Sequence, residues 1–172
     1  MNKIMLAMVL AGMAVSVQAA PTLTSDVAEA AATVTAPNRV MVSNVLTPST
    51  DLKTGVDVVM ADVARGSLSA DDGLPHSYAV TFPDDIINTS SDQVRATVTG
   101  TNNPANKMEI QLGERDSASP VSGTLINGKR YLLLANQDGN SEVGYGVYTI
   151  AAPQNIKPDT YNIRTQAYIY AE

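Results

Sequence analysis

Apolar and polar residues alternate with period two along most of the chain, in short runs separated by turn formers. This is the pattern of strands that bury one face. Residues 39–46 (RVMVSNVL) put Val40, Val42 and Leu46 on one side, between Pro37 and the cluster Thr47-Pro48-Ser49. Residues 56–63 (VDVVMADV) predict a second strand, ended by Gly66, and residues 77–82 (SYAVTF) a third, with Tyr78, Val80 and Phe82 in phase before Pro83. Residues 94–99 (VRATVT) and 108–112 (MEIQL) alternate on either side of a plain loop at 100–106 (GTNNPAN). Residues 124–126 and 131–134 flank Asn127-Gly128, a pair that tolerates positive φ at both centres of a type I′ turn and predicts a hairpin. After a polar loop at 137–142 come residues 145–150 (YGVYTI) and a last strand over 160–170 (TYNIRTQAYIY), with Tyr161, Ile163, Ala167 and Ile169 on one face.

Outside the opening segment, no window of eleven residues carries a helical period. Many short strands with turns about ten residues apart predict an all-β, antiparallel sandwich. One segment is ambiguous. In SDVAEAAATVTAP (residues 25–37), Ser25 could cap a short alanine-rich helix; in an extended chain, Ala28, Ala30, Ala32 and Val34 would instead form one thin apolar ridge.

The first nineteen residues change the picture of where the protein works. Lys3, an apolar stretch from Ile4 to Val15 and the small-x-small site Val17-Gln18-Ala19 read as a secretory signal peptide, cut after Ala19. Its removal takes away one Lys and no acid, so the net charge of −6 becomes −7 over 153 residues. That length suits one domain, and that charge repels nucleic acid and anionic membrane. No later apolar run approaches the roughly 18 residues that span a bilayer. Cysteine and tryptophan are absent and phenylalanine occurs once. Thiol chemistry and cysteine metal sites are therefore excluded, and an exported chain without disulfides must be stabilised by its core, by a partner, or by both.

Catalytic chemistry is not advertised. The lone histidine, His76, reads as a solvated loop residue, and no Gly-x-Ser-x-Gly elbow accompanies it. The acid pairs Asp71-Asp72 and Asp84-Asp85 lack the spacing of a calcium loop and read as loop charge. Glycine-rich phosphate loops are missing. No enzyme, cofactor or metal is expected. Tyr145, Tyr148, Tyr168 and Tyr170 are candidates for exposure, set against the commoner role of strand tyrosines as cross-strand partners.

The two ends of the chain carry a family likeness. ATVTAPNRVMVS (residues 32–43) resembles the junction in cysteine-free subunits of periplasmic chaperone–usher fibres, where an alternating leader meets Pro, then Arg, then the first strand. NIKPDTYNIRTQAYIYAE (residues 155–172) resembles their C-terminal strand. The plague capsule antigen, the Salmonella atypical fimbriae and some coli surface antigens share this layout. The resemblance implies an incomplete immunoglobulin-like sandwich lacking its last strand, completed by donor-strand complementation. It divides the chain into a signal peptide (1–19), a donor extension (20–36) carrying Ala28, Ala30, Ala32 and Val34, and a pilin domain (37–172). It places the acceptor groove along Val40, Val42, Leu46, Tyr161, Ile163, Ala167 and Ile169, and makes the terminal carboxylate of Glu172 the chaperone's anchor. The implied function is a structural or adhesive subunit of a surface fimbria. Its implied partners are neighbouring copies, a periplasmic chaperone, an outer-membrane usher and a host-cell receptor. The alternative is a self-complete secreted or periplasmic β-sandwich binding module.

Overall fold

The structure, a computed structural model, describes residues 40–170 apart from 118, 137 and 138. The expected signal peptide, the donor residues Ala28, Ala30, Ala32 and Val34, and Glu172 lie outside the described residues. Within them the chain forms strands and no helix. In chain order these are β1 (Val42–Pro48), β2 (Gly55–Val58), β3 (Asp62–Ala70), β4 (Ser77–Thr81), β5 (Ile87–Asn88), β6 (Arg95–Thr99), β7 (Lys107–Glu114), β8 (Thr124–Ile126), β9 (Lys129–Leu134), β10 (Glu142–Thr149), β11 (Gln154–Ile156) and β12 (Gln166–Tyr170).

A six-stranded sheet runs β1-β3-β10-β7-β6-β5, a four-stranded sheet runs β12-β4-β9-β8, and β11 pairs with β2. Every ladder is antiparallel. Alternation decides which side chains go inside. From the larger sheet Leu68, Val98, Ile110, Leu112, Tyr145 and Val147 point inward, and from the smaller one Tyr78, Val80, Leu132 and Leu134 meet them in a single core. The Asn127-Gly128 hairpin forms as expected, with φ of 50° and 82° at its two centres between Ile126 and Lys129.

Three strand expectations need correction. Residues 56–63 are not one strand: Met60, between β2 and β3, takes a positive φ of 49°, which breaks the extended chain, and Asp57 within β2 is itself irregular with a φ of 57°. Gly66 does not end a strand but sits mid-β3, opposite Tyr145 of β10. The Tyr145 ring lies directly over it, and a Cβ at this position would come within 2.0 Å of ring atoms. The glycine is there for an aromatic ring and not for a turn. At the first strand, the ladder begins at Val42 and continues through Pro48, so Thr47-Pro48 belongs to the strand. A proline is tolerated there because β1 is an edge strand, needing ladder bonds on one side only.

The last strand is shorter than its alternation. Burial alternates without a break from Tyr161 to Ile169, yet ladder pairing starts only at Gln166, opposite Thr81. Beyond Thr81 the partner strand runs into Phe82 and Pro83, where the chain turns and Ile86 N donates to Pro83 O. Residues 162–165 therefore lie along the core outside any ladder, and Tyr161 makes an isolated bridge to Gly100. β5 and β11 are too short to leave an alternation in the sequence.

Candidate functional site: the cleft between the first and last strands

The larger sheet ends at β1 and the smaller one at β12. β1 pairs only with β3, β12 pairs only with β4, and no ladder joins β1 to β12 among the described residues. The two edge strands thus form the walls of a cleft, each presenting unpaired backbone N–H and C=O groups. Such edges template a further strand.

The floor is apolar. Val42, Leu46, Tyr161, Ile163, Ala167 and Ile169 are all partly buried and packed against the core. Val40, placed with them by the sequence, precedes β1 and is 40% exposed. It does not share in the floor.

One polar unit, missed by the sequence reading, spans the cleft. Asn44 stands in phase with Val42 and Leu46, and its side-chain amide donates to Thr165 Oγ1 at 3.0 Å. The Tyr145 hydroxyl reaches from β10, two strands away, to donate to Asn44 Oδ1 at 2.8 Å, and it lies 2.6 Å from Thr165 Oγ1. Burial pushes the Tyr145 phenol pKa up, with the Thr165 and Asn44 bonds pulling the other way, so the group stays a neutral donor. A buried hydroxyl and amide demand partners, and these three residues satisfy one another while tying β1 to the segment before β12. The signal was present in the sequence as a lone Asn on an otherwise apolar face.

Each end of the cleft is fixed. At one end, Asp71 and Met41 exchange bonds: Met41 N donates to Asp71 Oδ1 (2.8 Å) and Asp71 N to Met41 O (3.0 Å). At the other, the Asp159 carboxylate accepts from Asn102 N (2.9 Å), Asn103 N (3.1 Å), Asn106 Nδ2 (2.9 Å) and Thr160 N (2.7 Å). These donors, the Asn102 amide foremost, lower its pKa from 3.8 to about 2. The anchored loop borders a hollow of about 630 Å³ lined by Val98, Gly100, Thr101 and Ile163.

The remaining charged candidates are structural. His76 Nε2 lies 2.9 Å from Asp72, Lys129 Nζ lies 2.6 Å from Asp84, and Arg164 pairs with Asp85. Asp84 and Asp85 are exposed carboxylates each paired with a cation, Asp72 bonds His76, and Asp71 accepts from the Met41 amide. No cluster of three or more His, Asp or Glu able to hold a metal occurs among the described residues. Of the four tyrosines considered for exposure, Tyr145 and Tyr148 are buried, Tyr170 is half-buried and Tyr168 is 48% exposed. Tyr148 covers Gly113 and Gly146 and donates to the carbonyls of Glu114 and Arg115.

No protein-family model and no curated protein sequence matches the chain. Solved structures do. The minor tip subunit HdaB of the E. coli Hda pilus superposes with a TM-score of 0.60 at 13% identity, over 76% of this chain and 84% of that one. The Salmonella SafD adhesin gives 0.56 at 15%, over 76% and 88%. Its fold is that of fimbrial subunits. The CssB subunit of the enterotoxigenic E. coli colonization factor CS6, solved complemented with a donor strand from the CssA subunit, matches at 0.52 and 14% identity, over 74% of this chain and 82% of that one. The expected all-β, immunoglobulin-like architecture holds.

Proposed function

We propose that the chain is a structural, adhesion-bearing subunit of a surface fimbria, built by donor-strand exchange between copies of itself. The observation that carries this reading is the cleft: two unpaired strand edges over an apolar floor, at the place where one further strand would complete the sandwich. Residues 20–36 of a neighbouring copy are the donor, with Ala28, Ala30, Ala32 and Val34 facing the floor, and Val42, Leu46, Tyr161, Ile163, Ala167 and Ile169 receive them. Three alanine methyls and a valine would contribute about 5 kcal/mol at about 0.8 per buried carbon. About eight to ten backbone hydrogen bonds at about 1 kcal/mol each would contribute roughly twice as much. Main-chain pairing then holds the fibre, while side chains set register.

An open cleft of this kind aggregates unless covered. A periplasmic chaperone fills it during transit, anchored on the Glu172 carboxylate, and an outer-membrane usher exchanges that strand for the next subunit's leader. The fibre ends at the cell surface, where a repeated face meets a host receptor with avidity. The fold neighbours named as adhesin and pilus subunits support this reading, and the CssB structure with a strand from CssA supports the means of assembly.

The test is Ala30→Asp in cells coexpressing the chaperone and usher. The chaperone-bound subunit should still form, while the SDS-resistant, heat-labile polymer ladder disappears. A ladder of normal length would sink the proposal. So would a chain lacking residues 20–36 that polymerises normally. A self-complete binding module would instead be a cooperative monomer without any chaperone.

A further inference from the structure

At the Asp159 end of the first cleft, its two walls run on into one small ribbon. β1 leads after Pro48 to β2, and β11 leads through residues 157–160 to Tyr161, so β2 and β11, paired with each other, each continue one wall. Leu52, Val58 and Ile156 tie this ribbon to the core. Val56 does not join them. In a regular strand Val56 and Val58 would share a face; the positive φ of 57° at Asp57 breaks that parity, and Val56 stands 71% exposed. Met60 repeats the device with a φ of 49°, beside the exposed Val59. Left-handed backbone at so long a side chain persists only where its surroundings hold it. Here Met60 N donates to Ile150 O at 3.3 Å and Ala61 N to Thr149 Oγ1 at 2.8 Å.

A second exposed apolar group stands at the other end of the cleft. Met41, 69% exposed, is held against the turn between β3 and β4 by its exchange with Asp71. In that turn Leu74, 58% exposed, is fixed by its N donating to Asp72 Oδ1 at 3.0 Å. Both residues lie where the chain enters the body, next to Val40. Charge differs between the two ends as well: the ribbon region sets Lys53 and Lys157 against Asp51 and Asp57, whereas the turn beside Met41 carries Asp71 and Asp72 with only His76 against them. On a chain whose net charge repels its own copies, the balanced ribbon is a place where that acidic end can approach.

We infer that the ribbon of one copy docks against the body of the copy whose leader fills its cleft, Val56 and Val59 meeting Met41 and Leu74. The contact rests on the fibre reading and adds to it an interface between bodies. The length of the leader selects a second copy as the occupant. The donor segment ends at residue 36 and the described body begins at Val40, so at most roughly 14 Å of chain separates a filled cleft from the donor's own Val40. The donor's body is thereby leashed to one end of the cleft. That end is the ribbon end, because a copy's own leader departs from Val40 at the other, and a neighbour's body seated there would block it. The leash raises the effective concentration of the two faces to roughly millimolar, at which a few aliphatic side chains hold a contact. One end of each copy on the opposite end of the next is a heterologous contact, the kind that propagates along a filament.

The chain has no cysteine, so a cross-link reads this contact directly. The test is the full chain carrying Val56→Cys and Leu74→Cys, coexpressed with the chaperone and usher, its fibres oxidised with diamide. Both residues are exposed, so the variant should fold; they lie at opposite ends of one body, so a disulfide joins them only between copies. About half or more of the polymer should survive boiling in SDS and fall apart in dithiothreitol. Val59→Cys with Met41→Cys should behave alike. Val56→Cys with Leu125→Cys, the latter exposed on β8, should give no more boil-resistant polymer than the parent chain. A ladder that forms but survives boiling in neither of the first two pairs would overturn the contact and leave the fibre reading standing. Equal cross-linking of the Leu125 pair would also overturn it, by showing bodies that swing freely on their leash. Absence of any ladder from the parent chain would remove the fibre reading, and the contact with it.

Discussion

At the seam between β1 and β12 the walls are strands at the two ends of their sheets, whereas between β9 and β10 they are strands that outlast their neighbours. The first opening runs the length of a sheet edge, is floored by an unbroken alternation from Tyr161 to Ile169, and carries no unpaired charge on its floor. The second is shorter, begins where β7 and β8 turn away, and is rimmed by Arg115, Asp116 and Glu142. A strand-length apolar slot suits a permanent structural partner whose register must be fixed. The rim of the shorter slot is already satisfied, Glu142 by Arg115 and Asp116 by Arg65, and selects no partner.

The sharpest way to break this comparison is a matched pair of charges. Ile169→Asp puts a carboxylate on the floor of the first cleft, where leaving it uncompensated under a donor strand should cost about 3–5 kcal/mol. The SDS-resistant ladder should vanish. Val143→Asp, at the second seam, should leave the ladder intact while lowering the melting midpoint. Equal loss of polymer in both variants would mean that the two openings are not separate in function.

Next in size is Gly66→Val. Its side chain would enter the space of the Tyr145 ring, and forcing that buried aromatic aside should cost about 3 kcal/mol, seen as a lower denaturant midpoint. Because the displaced ring sits under the first cleft, polymerisation should fall with it. Tyr145→Phe is gentler. It keeps the ring over Gly66 but removes the hydroxyl shared by Asn44 and Thr165, which still bond each other at 3.0 Å. The expected loss is about 1 kcal/mol, with the denaturant m-value unchanged.

Much of the first cleft was legible in the sequence because its information is local. Alternation within residues 42–46 and 161–169 states which side chains share a face, and Asn127-Gly128 states its own turn. What failed needed partners far along the chain. Gly66 looks like a terminator until Tyr145 is placed over it. Residues 56–63 look continuous until the positive φ at Met60 is known. The ladder of β12 stops at Gln166 for a reason held by Pro83, not by any residue of β12 itself. The second seam was invisible altogether, since it exists only because β7 and β8 end before the strands they pair with. The leader and Glu172 were read from resemblance and lie outside the described residues, so their roles rest on the assembly experiments.

The smallest expected effect separates the two seams by pH. The loop at one end of the first cleft is held by a carboxylate, Asp159, whereas the loop beside the second is held by an amide, with Asn140 N donating to Asn136 Oδ1 at 3.1 Å. Only the first of these titrates. Asp159 has its pKa lowered from 3.8 to about 2 by the Asn102, Asn106, Thr160 and Asn103 donors. A carboxyl with a depressed folded-state pKa contributes stability that is complete above its ordinary value and is lost as pH falls through the folded value. Acidification from pH 4 to pH 2 should therefore move the Asn102 and Asn103 amide resonances and loosen residues 100–106, while the Asn140 amide stays in place. Asp159 is only half-buried, so the accompanying drop in melting temperature should be modest. In Asp159→Asn it should be present already at neutral pH and nearly flat below pH 4. If the Asn140 amide shifted in step with Asn102, the acid response would be global unfolding, and the distinction between a charge-held and an amide-held seam would fail.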